Sequence, residues 1–303
     1  MKKVLIFALA LAGYCASQAQ NIIDAEEGRN YNDFYQRNIV EGKKATPYPS
    51  LRQSDVIWEM VVWRDINLDE TFNQFFYFPQ DETKDNQGRI NLLNLLMGGL
   101  ERGDIVAFED DDLKKEMTFE EITKQLEGEG RSRIEEVVDE NGDPVEDENG
   151  DIVTRRVQEP GVFERDKVKR LRIKERWYID KQDSRQKVRI VGLEFQYQTP
   201  DKLNDEGELL FAGGMVWSPC IPMDDMRTRQ LLVNANVYDP NNDVRERSYD
   251  DIFIQRYFNS YVVRESNVYN RSIADYLTGE DAMLESNRIE DKIYNIESDM
   301  WEY

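Results

Sequence analysis

The middle of the chain contains two long runs with the composition of β-strands, separated by a short polar stretch. The first is RLRIKERWYIDKQ at residues 170–182, and the second is RQKVRIVGLEFQYQ at residues 185–198. Alternation is imperfect in the first run, but the second is rich in β-branched and aromatic residues, and together they predict a β-hairpin. A third strand can come from Leu209–Pro219, where Gly213 and Gly214 would mark a bulge or a close approach. We therefore expect a small antiparallel sheet in the middle third.

The segments before this hairpin carry helix signals. Ser54 and Asp55 are residue types that cap helices, and the apolar residues of Val56–Ile66 can form a broad helix face. INLLNLLMGGLERGD, residues 90–104, predicts a short apolar helix that ends at Gly98 and Gly99 or at Gly103. Thr118 with Glu121 predicts a capping box before another short helix. FNQFFYFP, residues 72–79, is aromatic and ends at proline, which favours a strand or an extended segment.

Helix signals also follow the hairpin. Pro222, with Asp224 and Asp225 in the first turn, predicts a helix through Leu232. Thr278 and Asp281 would cap a long C-terminal helix whose apolar residues we expect to dock on the same domain. The fold class predicted is α+β, with helices at both ends around a small central antiparallel sheet. The predicted organisation is a signal peptide at 1–19, an extended arm at 20–50, a domain at 51–272 containing an acidic insertion at 131–158, and a C-terminal helix at 273–303.

A dense aromatic segment begins at Ser248, in the sequence SYDDIFIQRYFNSYVVRESN. Ser248 and Asp251 form a capping-box pattern, which predicts a helix. An apolar, mostly aromatic stripe then recurs at spacings of three and four, made of Tyr249, Ile252, Phe253, Tyr257 and Tyr261. Two interpretations stay open: a helix that faces the core, or an interface in which Tyr and Arg side chains bind a partner.

Four blocks of this sequence, the last two of which overlap, together resemble the GldN/PorN family. They are Leu51–Leu68, Arg172–Gln182, Ser248–Asn267 and Val262–Ser272, and the resemblance is strongest around Asp55, Trp58, Trp63 and Arg64. The resemblance implies a periplasmic, non-enzymatic structural protein of the type IX secretion and gliding-motility machinery of Bacteroidetes. It also implies a homo-oligomeric or mixed ring at the inner face of the outer membrane, formed with an outer-membrane lipoprotein of the GldK/PorK type. A further partner would be the periplasmic part of an inner-membrane motor protein of the GldM/PorM type.

Aromatic density within these blocks suggests which side chains would contact a partner, although the resemblance itself assigns no such roles. The candidate partner-binding residues are Trp58, Trp63, Tyr249, Phe253, Arg256 and Tyr257. Trp58 and Trp63 are five residues apart and would not share one line on a helix, so one of them could face the core and the other a neighbour.

The amino terminus, MKKVLIFALALAGYCASQAQ, has the pattern of a secretory signal peptide with cleavage after Ala19. Ala12 to Cys15 partly imitates a lipoprotein cleavage box, but Tyr14 stands where that box requires a small residue. No apolar run approaches the ~20 residues that span a bilayer. We expect a soluble, exported protein without a membrane span.

The chain is strongly acidic, with 39 Lys and Arg against 61 Asp and Glu and a formal net charge of −22. This charge repels phosphate backbones and anionic lipids, so nucleic acid and direct membrane docking are disfavoured, while basic partners are favoured. The chain has no histidine, which removes the commonest general base, the usual triads and nearly all zinc sites. No catalytic residue, metal site or cofactor is predicted. The alternative function is a periplasmic glycan-binding or carboxylate-dependent glycan-hydrolysing protein.

Two isolated features remain. Cys220, in WSPCIP, would be the one thiol of the exported chain, either buried as a small hydrophobic residue or engaged in an intermolecular disulfide. DENGD occurs at Asp139 and again at Asp147, which suggests a projecting hairpin or an acidic loop. A calcium site in this segment is an alternative, although Gly142 lies fourth from Asp139 and not sixth as in an EF-hand loop.

Overall fold

The computed structural model of the protein describes residues 42–80, 89–127, 131–136, 154–159, 163, 165–199, 202–203, 209–211, 213–239, 242 and 244–299. Backbone contacts divide the chain into Met1–Lys43 and Lys44–Tyr303, and nearly all described residues belong to the second unit. The predicted signal peptide, the Cys15 alternative, most of the arm and the acidic residues 139–151 lie outside the described residues.

Twelve strands are present in the described ranges: β1 Val56–Asn67, β2 Ala107–Phe108, β3 Glu116–Met117, β4 Arg131–Glu136, β5 Thr154–Glu159, β6 Arg170–Asp180, β7 Arg185–Gln198, β8 Lys202–Leu203, β9 Leu209–Phe211, β10 Met215–Trp217, β11 Ile221–Pro222 and β12 Tyr261–Glu265. The α-helices described are α1 Leu92–Glu101, α2 Phe119–Glu127, α3 Met226–Asn234, α4 Tyr249–Gln255 and α5 Glu280–Asp299. Short 3-10 helices lie at Gln53–Asp55, Thr71–Phe76, Arg165–Lys167 and Ile273–Asp275.

The centre of the fold is a curled, antiparallel sheet of six strands in the order β10-β7-β6-β1-β12, with β11 also paired to β7. The predicted hairpin is confirmed as β6 and β7, in which Leu171 lies opposite Phe195. The predicted third strand is present as β10, which pairs with the end of β7. The predicted fold class is nevertheless wrong, because the sheet is large and the helices are not segregated to its two ends.

The largest error concerns Val56–Ile66, which is the long strand β1 and not a helix. β1 lies between β6, which pairs along its whole length, and β12, which pairs with Val62–Asp65. Its β-branched and aromatic residues suit a pleated surface. Side chains alternate between two covered faces, with Val62 and Ile66 on one and Trp63 and Asp65 on the other. A strand buried on both faces loses clean alternation, and this explains why its apolar residues also fit a helical face.

The prediction of a strand at FNQFFYFP is also wrong, because Thr71–Phe76 forms a 3-10 helix. Asn73 is fully buried at its centre and donates to the carbonyl oxygens of Asn67 and Asn259, at 2.8 and 3.0 Å. Its Oδ1 accepts from the amide of Asn259 at 2.9 Å. One buried amide therefore ties this turn to the segment that enters β12.

Several capping signals are confirmed, with shifted boundaries. Ser248 and Asp251 form a full capping box on α4. Helix α4 ends at Gln255, however, because Arg256 adopts a left-handed conformation with φ of 52°. Tyr257 and Tyr261 are therefore outside the helix, and the predicted five-residue helical stripe is wrong beyond Phe253. Helix α3 begins after its N-cap Asp225, since Pro222 belongs to β11.

Helices cover one face of the sheet in two groups. The main core joins α1, α2, α4 and the 3-10 helix at Thr71–Phe76 to the apolar residues of β1, β6 and β7. A second cluster seats α5 on the other end of the same face, where Ile289 and Ile293 pack with Met60, Val62 and Val262. The opposite face of the sheet carries mainly charged and aromatic side chains, and the loop Glu109–Lys115 lies against part of it.

Candidate interaction surface

Two of the predicted partner-binding residues, Tyr249 and Phe253, lie in the core. The Tyr249 hydroxyl donates to the carbonyl oxygen of Ile90 at 2.8 Å, and burial raises the pKa of this phenol. Phe253 is 5.5 Å from Phe76, measured between ring centroids. Both side chains are buried and cannot contact a partner in this structure, so the core-facing interpretation applies to both.

Trp58 and Trp63 point to opposite faces of β1, because an odd number of residues separates them. Trp58 is half-buried against the cluster beneath α5. Trp63 is buried on the charged face, where its Nε1 donates to Asp111 at 2.6 Å and the Arg264 guanidinium lies 3.5 Å from its ring centroid. Trp63 therefore anchors the Glu109–Lys115 loop to the sheet.

The charged face contains one carboxyl group with an unusual environment. Burial, together with the negative charge of Asp111, raises the pKa of Glu194 to about 7, although three nearby cations oppose the shift. Those cations are Arg172, Lys174 and Arg264. Burial also lowers the pKa of the Arg264 guanidinium, whose Nε lacks a hydrogen-bond partner among the described residues.

Arg256 has a structural ion pair. Its guanidinium donates to Glu175 at 2.6 Å, and the Glu175 side chain is completely buried. The second carboxylate oxygen of Glu175 accepts from Trp177 Nε1 at 2.9 Å, and Arg256 lies over the ring of that tryptophan. The left-handed backbone at Arg256 aims this side chain back at the sheet, so the residue links the end of α4 to β6.

Tyr257 is the one predicted partner-binding aromatic residue that is substantially exposed, at 37%. Its ring centroid is 4.9 Å from that of Phe72, and the Arg247 guanidinium lies 4.1 Å from its centroid. Tyr238 is exposed to a similar extent nearby, with the guanidinium of Arg89 above it at 5.6 Å. We call the surface formed by Phe72, Tyr238, Tyr257, Arg89, Arg245 and Arg247 the aromatic–arginine patch.

A small recess of about 50 Å³ opens within this patch. Its apolar walls are Phe75, Val237 and Ile252, and Asp239 and Arg247 are its charged lining residues. Asp239 forms a long ion pair with Arg245, at 3.9 Å. Half-exposed aromatic rings beside arginines, around an apolar recess, have the composition of a protein-binding hot spot.

Sequence reasoning identified Tyr257 but missed its neighbours in the patch. Phe72 belongs to the aromatic run FNQFFYFP, whose density was a usable signal. Tyr238 and Arg247 are nine residues apart in the chain, and the pairing of Asn236 with Ser248 and of Val237 with Arg247 brings both beside Tyr257. No local pattern could have joined these three segments.

A larger cleft, of about 680 Å³, lies along the edge strand β12 and beneath α5. The backbone of that edge is already engaged by side chains. The amide of Val262 donates to Ser286 at 3.0 Å, and the Ser260 carbonyl accepts from Arg64 at 3.1 Å. Arg64 also pairs with Glu290 of α5. At these two positions the backbone beside the cleft is therefore already hydrogen-bonded within the chain.

Cys220 is a free, buried thiol, as the first of its two interpretations predicted. Burial raises the pKa of its thiol. A Cβ added at Gly192 would lie 2.6 Å from the sulfur, so the sheet closes tightly over it. In this structure the thiol is not placed to form an intermolecular disulfide.

In the described ranges, no three Cys, Asp or Glu side chains are grouped so that they could hold a metal ion. The calcium alternative at residues 139–151 falls outside those ranges. No described helix combines the length and the apolar character needed to cross a bilayer.

Comparison with known families gives a match over residues 51–302 to the family described as gliding motility associated protein GldN. The resemblance seen in four sequence blocks is thereby confirmed, and the matched range contains all the α-helices and strands described above. The search of curated proteins gave no match.

Proposed function

Because the chain belongs to the GldN family of gliding-motility-associated proteins, we propose that it is a non-enzymatic structural subunit of the type IX secretion and gliding-motility machinery. The observation that carries the proposal is the extent of the match, which runs from the start of the sheet through α5. A match of that extent concerns the whole folded unit and not one local motif. Membership associates the chain with gliding motility, and the structural role is the finer step that we propose.

The proposed subunit acts in the periplasm, at the inner face of the outer membrane, in a ring formed with an outer-membrane lipoprotein of the GldK/PorK type. The ring would couple the secretion apparatus to the periplasmic part of a GldM/PorM-type motor protein. The predicted signal peptide supports export, and the acidic composition supports a soluble protein that docks on proteins and not on anionic lipid. The sequence resemblance supports the choice of partners.

The aromatic–arginine patch is the surface that we propose for contact between subunits of this assembly. The Arg247 guanidinium already lies over the Tyr257 ring in the chain by itself, at 4.1 Å from its centroid, and such a contact reduces the side-chain entropy that is lost on binding. Tyr249 and Phe253 contribute indirectly, because they hold α4 in place beneath the surface, whereas Trp63 anchors the Glu109–Lys115 loop on the other face of the sheet. Arg256 is half-buried and remains a candidate contact beside the patch, and Trp58 is half-buried near the start of β1, where it would be a separate contact.

The experiment is native mass analysis of the protein purified from envelopes in mild detergent through a carboxy-terminal tag. We expect a particle of megadalton scale that contains the lipoprotein and no turnover activity. A lone monomer, under conditions that preserve other envelope complexes, would contradict the structural role and would make a glycan-binding assay the next step.

A further inference from the structure

The aromatic–arginine patch has the opposite charge to the chain as a whole. The full sequence carries a net charge of −22, whereas the patch contributes three arginines and its recess one aspartate, Asp239. Two of the arginines lie over tyrosine rings, at 5.6 Å for Arg89 and 4.1 Å for Arg247. Arg247 has no carboxylate within ion-pair distance among the described residues. The local charge therefore favours an acidic occupant, although the overall composition predicts basic partners.

The recess limits the apolar part of that occupant. A volume of about 50 Å³ is several times the ~10–15 Å³ that one water requires, and matches a small aliphatic side chain, not an aromatic ring. An occupant with one small apolar residue between carboxylates would fill the recess and meet the surrounding arginines.

The chain itself contains a segment with this pattern. Residues 139–151, DENGDPVEDENGD, carry seven carboxylates and no Lys or Arg, and Pro144 and Val145 stand between two acidic halves. We propose that the aromatic–arginine patch of one copy binds the Asp139–Asp151 segment of a second copy, with Pro144 or Val145 in the recess. The flanking carboxylates then pair with Arg247 and its neighbours.

We place the segment on a second copy because the proposed assembly brings copies of the chain together. Asp139–Asp151 connects β4 to β5, and β4 contacts β8, which follows the end of β7. The patch adjoins the start of β12, and β6 and β1 separate β7 from β12 in the sheet. At the ~4.8 Å spacing of neighbouring strands, β7 and β12 are roughly 14 Å apart, and the 17 residues between β4 and β5 are long enough to span that distance, so the variants below are chosen to distinguish the two arrangements. Because patch and segment are different surfaces, the contact between copies is head to tail.

The inference rests on the proposed function, since copies must meet in one assembly, but its test uses the purified chain without any partner. The probe is a fluorescein-labelled synthetic peptide of residues 139–151, titrated with the full chain lacking its predicted signal peptide. We expect saturable binding, measured by fluorescence anisotropy, that weakens roughly tenfold between about 50 and about 300 mM NaCl. A peptide with Asn and Gln in place of every Asp and Glu should not bind.

Arg247→Glu should weaken peptide binding at least about tenfold, because it places a like charge at the recess. Arg271→Glu is the matched control, since Arg271 also lies over tyrosine rings, at 4.9 Å from Tyr269 and 4.7 Å from Tyr276, but away from the patch. Equal binding by the Arg247→Glu and unaltered chains would overturn the proposal. The proposal would also be overturned if the peptide bound only to a chain that carries both Glu146→Lys and Asp147→Lys. In that case the patch of the unaltered chain would already hold the segment of its own copy.

A complementation experiment tests the contact in the full chain. The Arg247→Glu chain keeps the acidic segment but loses the patch, and the Glu146→Lys, Asp147→Lys chain keeps the patch but loses the segment. In sedimentation velocity each variant should stay monomeric, whereas their mixture should associate through the two intact surfaces. The head-to-tail contact is contradicted if either variant associates by itself. It is also contradicted if the mixture of the two variants stays monomeric. Both results leave the co-purification test of the proposed function unaffected.

Discussion

Single residues connect the parts of this fold through buried polar groups. Arg256 pairs with the buried carboxylate of Glu175, and Asn73 joins the turn after β1 to the segment before β12. Arg229 and Asp250 form a nearly buried pair between α3 and α4, and Tyr48 stacks on that guanidinium at 4.3 Å. Each group is costly to bury alone and is tolerated because its partner is present.

Removing one member of the Arg256–Glu175 pair should be strongly destabilising. Arg256→Ala keeps a Cβ at the left-handed position but leaves Glu175 buried without its cation, so the free energy of unfolding should fall by about 3–5 kcal/mol. Urea unfolding followed by tryptophan fluorescence measures the loss. Arg271→Ala is the control and should change stability by less than about 0.5 kcal/mol. A loss below about 1 kcal/mol for Arg256→Ala would show that water reaches Glu175.

Glu194 should make stability depend on pH. Its pKa in the folded protein is about 7, above the ordinary value of 4.5, so the folded state binds more protons than the unfolded state between these values. Stability therefore falls as the pH rises through that window. Glu194→Gln removes the effect. Between pH 4.5 and pH 7 the free energy of unfolding of this variant should therefore rise, relative to that of the unaltered chain, by on the order of 2 kcal/mol.

Urea titrations of both proteins at several pH values test this dependence. Glu120→Gln, at an exposed position of α2, is the control and should show no such trend. A constant difference between Glu194→Gln and the unaltered chain across the range would show that folding does not change the pKa of Glu194.

The elements differ in how far local sequence determines them. Helix α4 begins where the Ser248–Asp251 capping box predicts, and the β6–β7 hairpin lies where its two runs predict. These signals act within a few residues. Strand β1 differs, because it is defined by pairing with β6, more than 100 residues away, and with β12, almost 200 away.

Helix α1 offers a test of close packing at two adjacent glycines. A Cβ at Gly99 would lie 2.6 Å from Leu231 Cδ2 of α3, whereas a Cβ at Gly98 would meet only the flexible end of Arg102, at 3.2 Å. Gly99→Ala should therefore destabilise by about 1–3 kcal/mol through overpacking. Gly98→Ala should stabilise by about 0.5–1 kcal/mol, because alanine favours the helix. Thermal unfolding measures both, and equal effects would mean that α1 and α3 are not in contact.

At the scale of the whole molecule, the sheet separates two kinds of surface. One face is covered by helices and forms the core, while the other carries charged side chains beneath the Glu109–Lys115 loop. The aromatic–arginine patch lies outside both, where the turn after β1 meets the chain around α4. Its exposed rings are the feature we connect with assembly.

Tyr257→Ala should weaken assembly and leave the monomer folded. The ring is half-exposed and mainly contacts Phe72 and Arg247, so its loss removes contact area from the patch and little from the core. Native mass and the yield of the co-purifying lipoprotein measure the effect, with circular dichroism as the folding check. Tyr294→Ala, at an exposed site on α5, is the control. Normal assembly and partner yield with Tyr257→Ala would contradict the placement of the contact.

The sequence by itself determined the family, the capping boxes and the central hairpin, because these depend on patterns within one segment or on four blocks read together. Tertiary structure alone decided that Val56–Asn67 is a strand, that Tyr249 and Phe253 face the core, and that Phe72, Tyr238 and Arg247 surround Tyr257. The physical reason is that an apolar residue fits a helix face, a two-sided strand or an interface equally well by composition. Only the partners supplied by distant segments select among these environments.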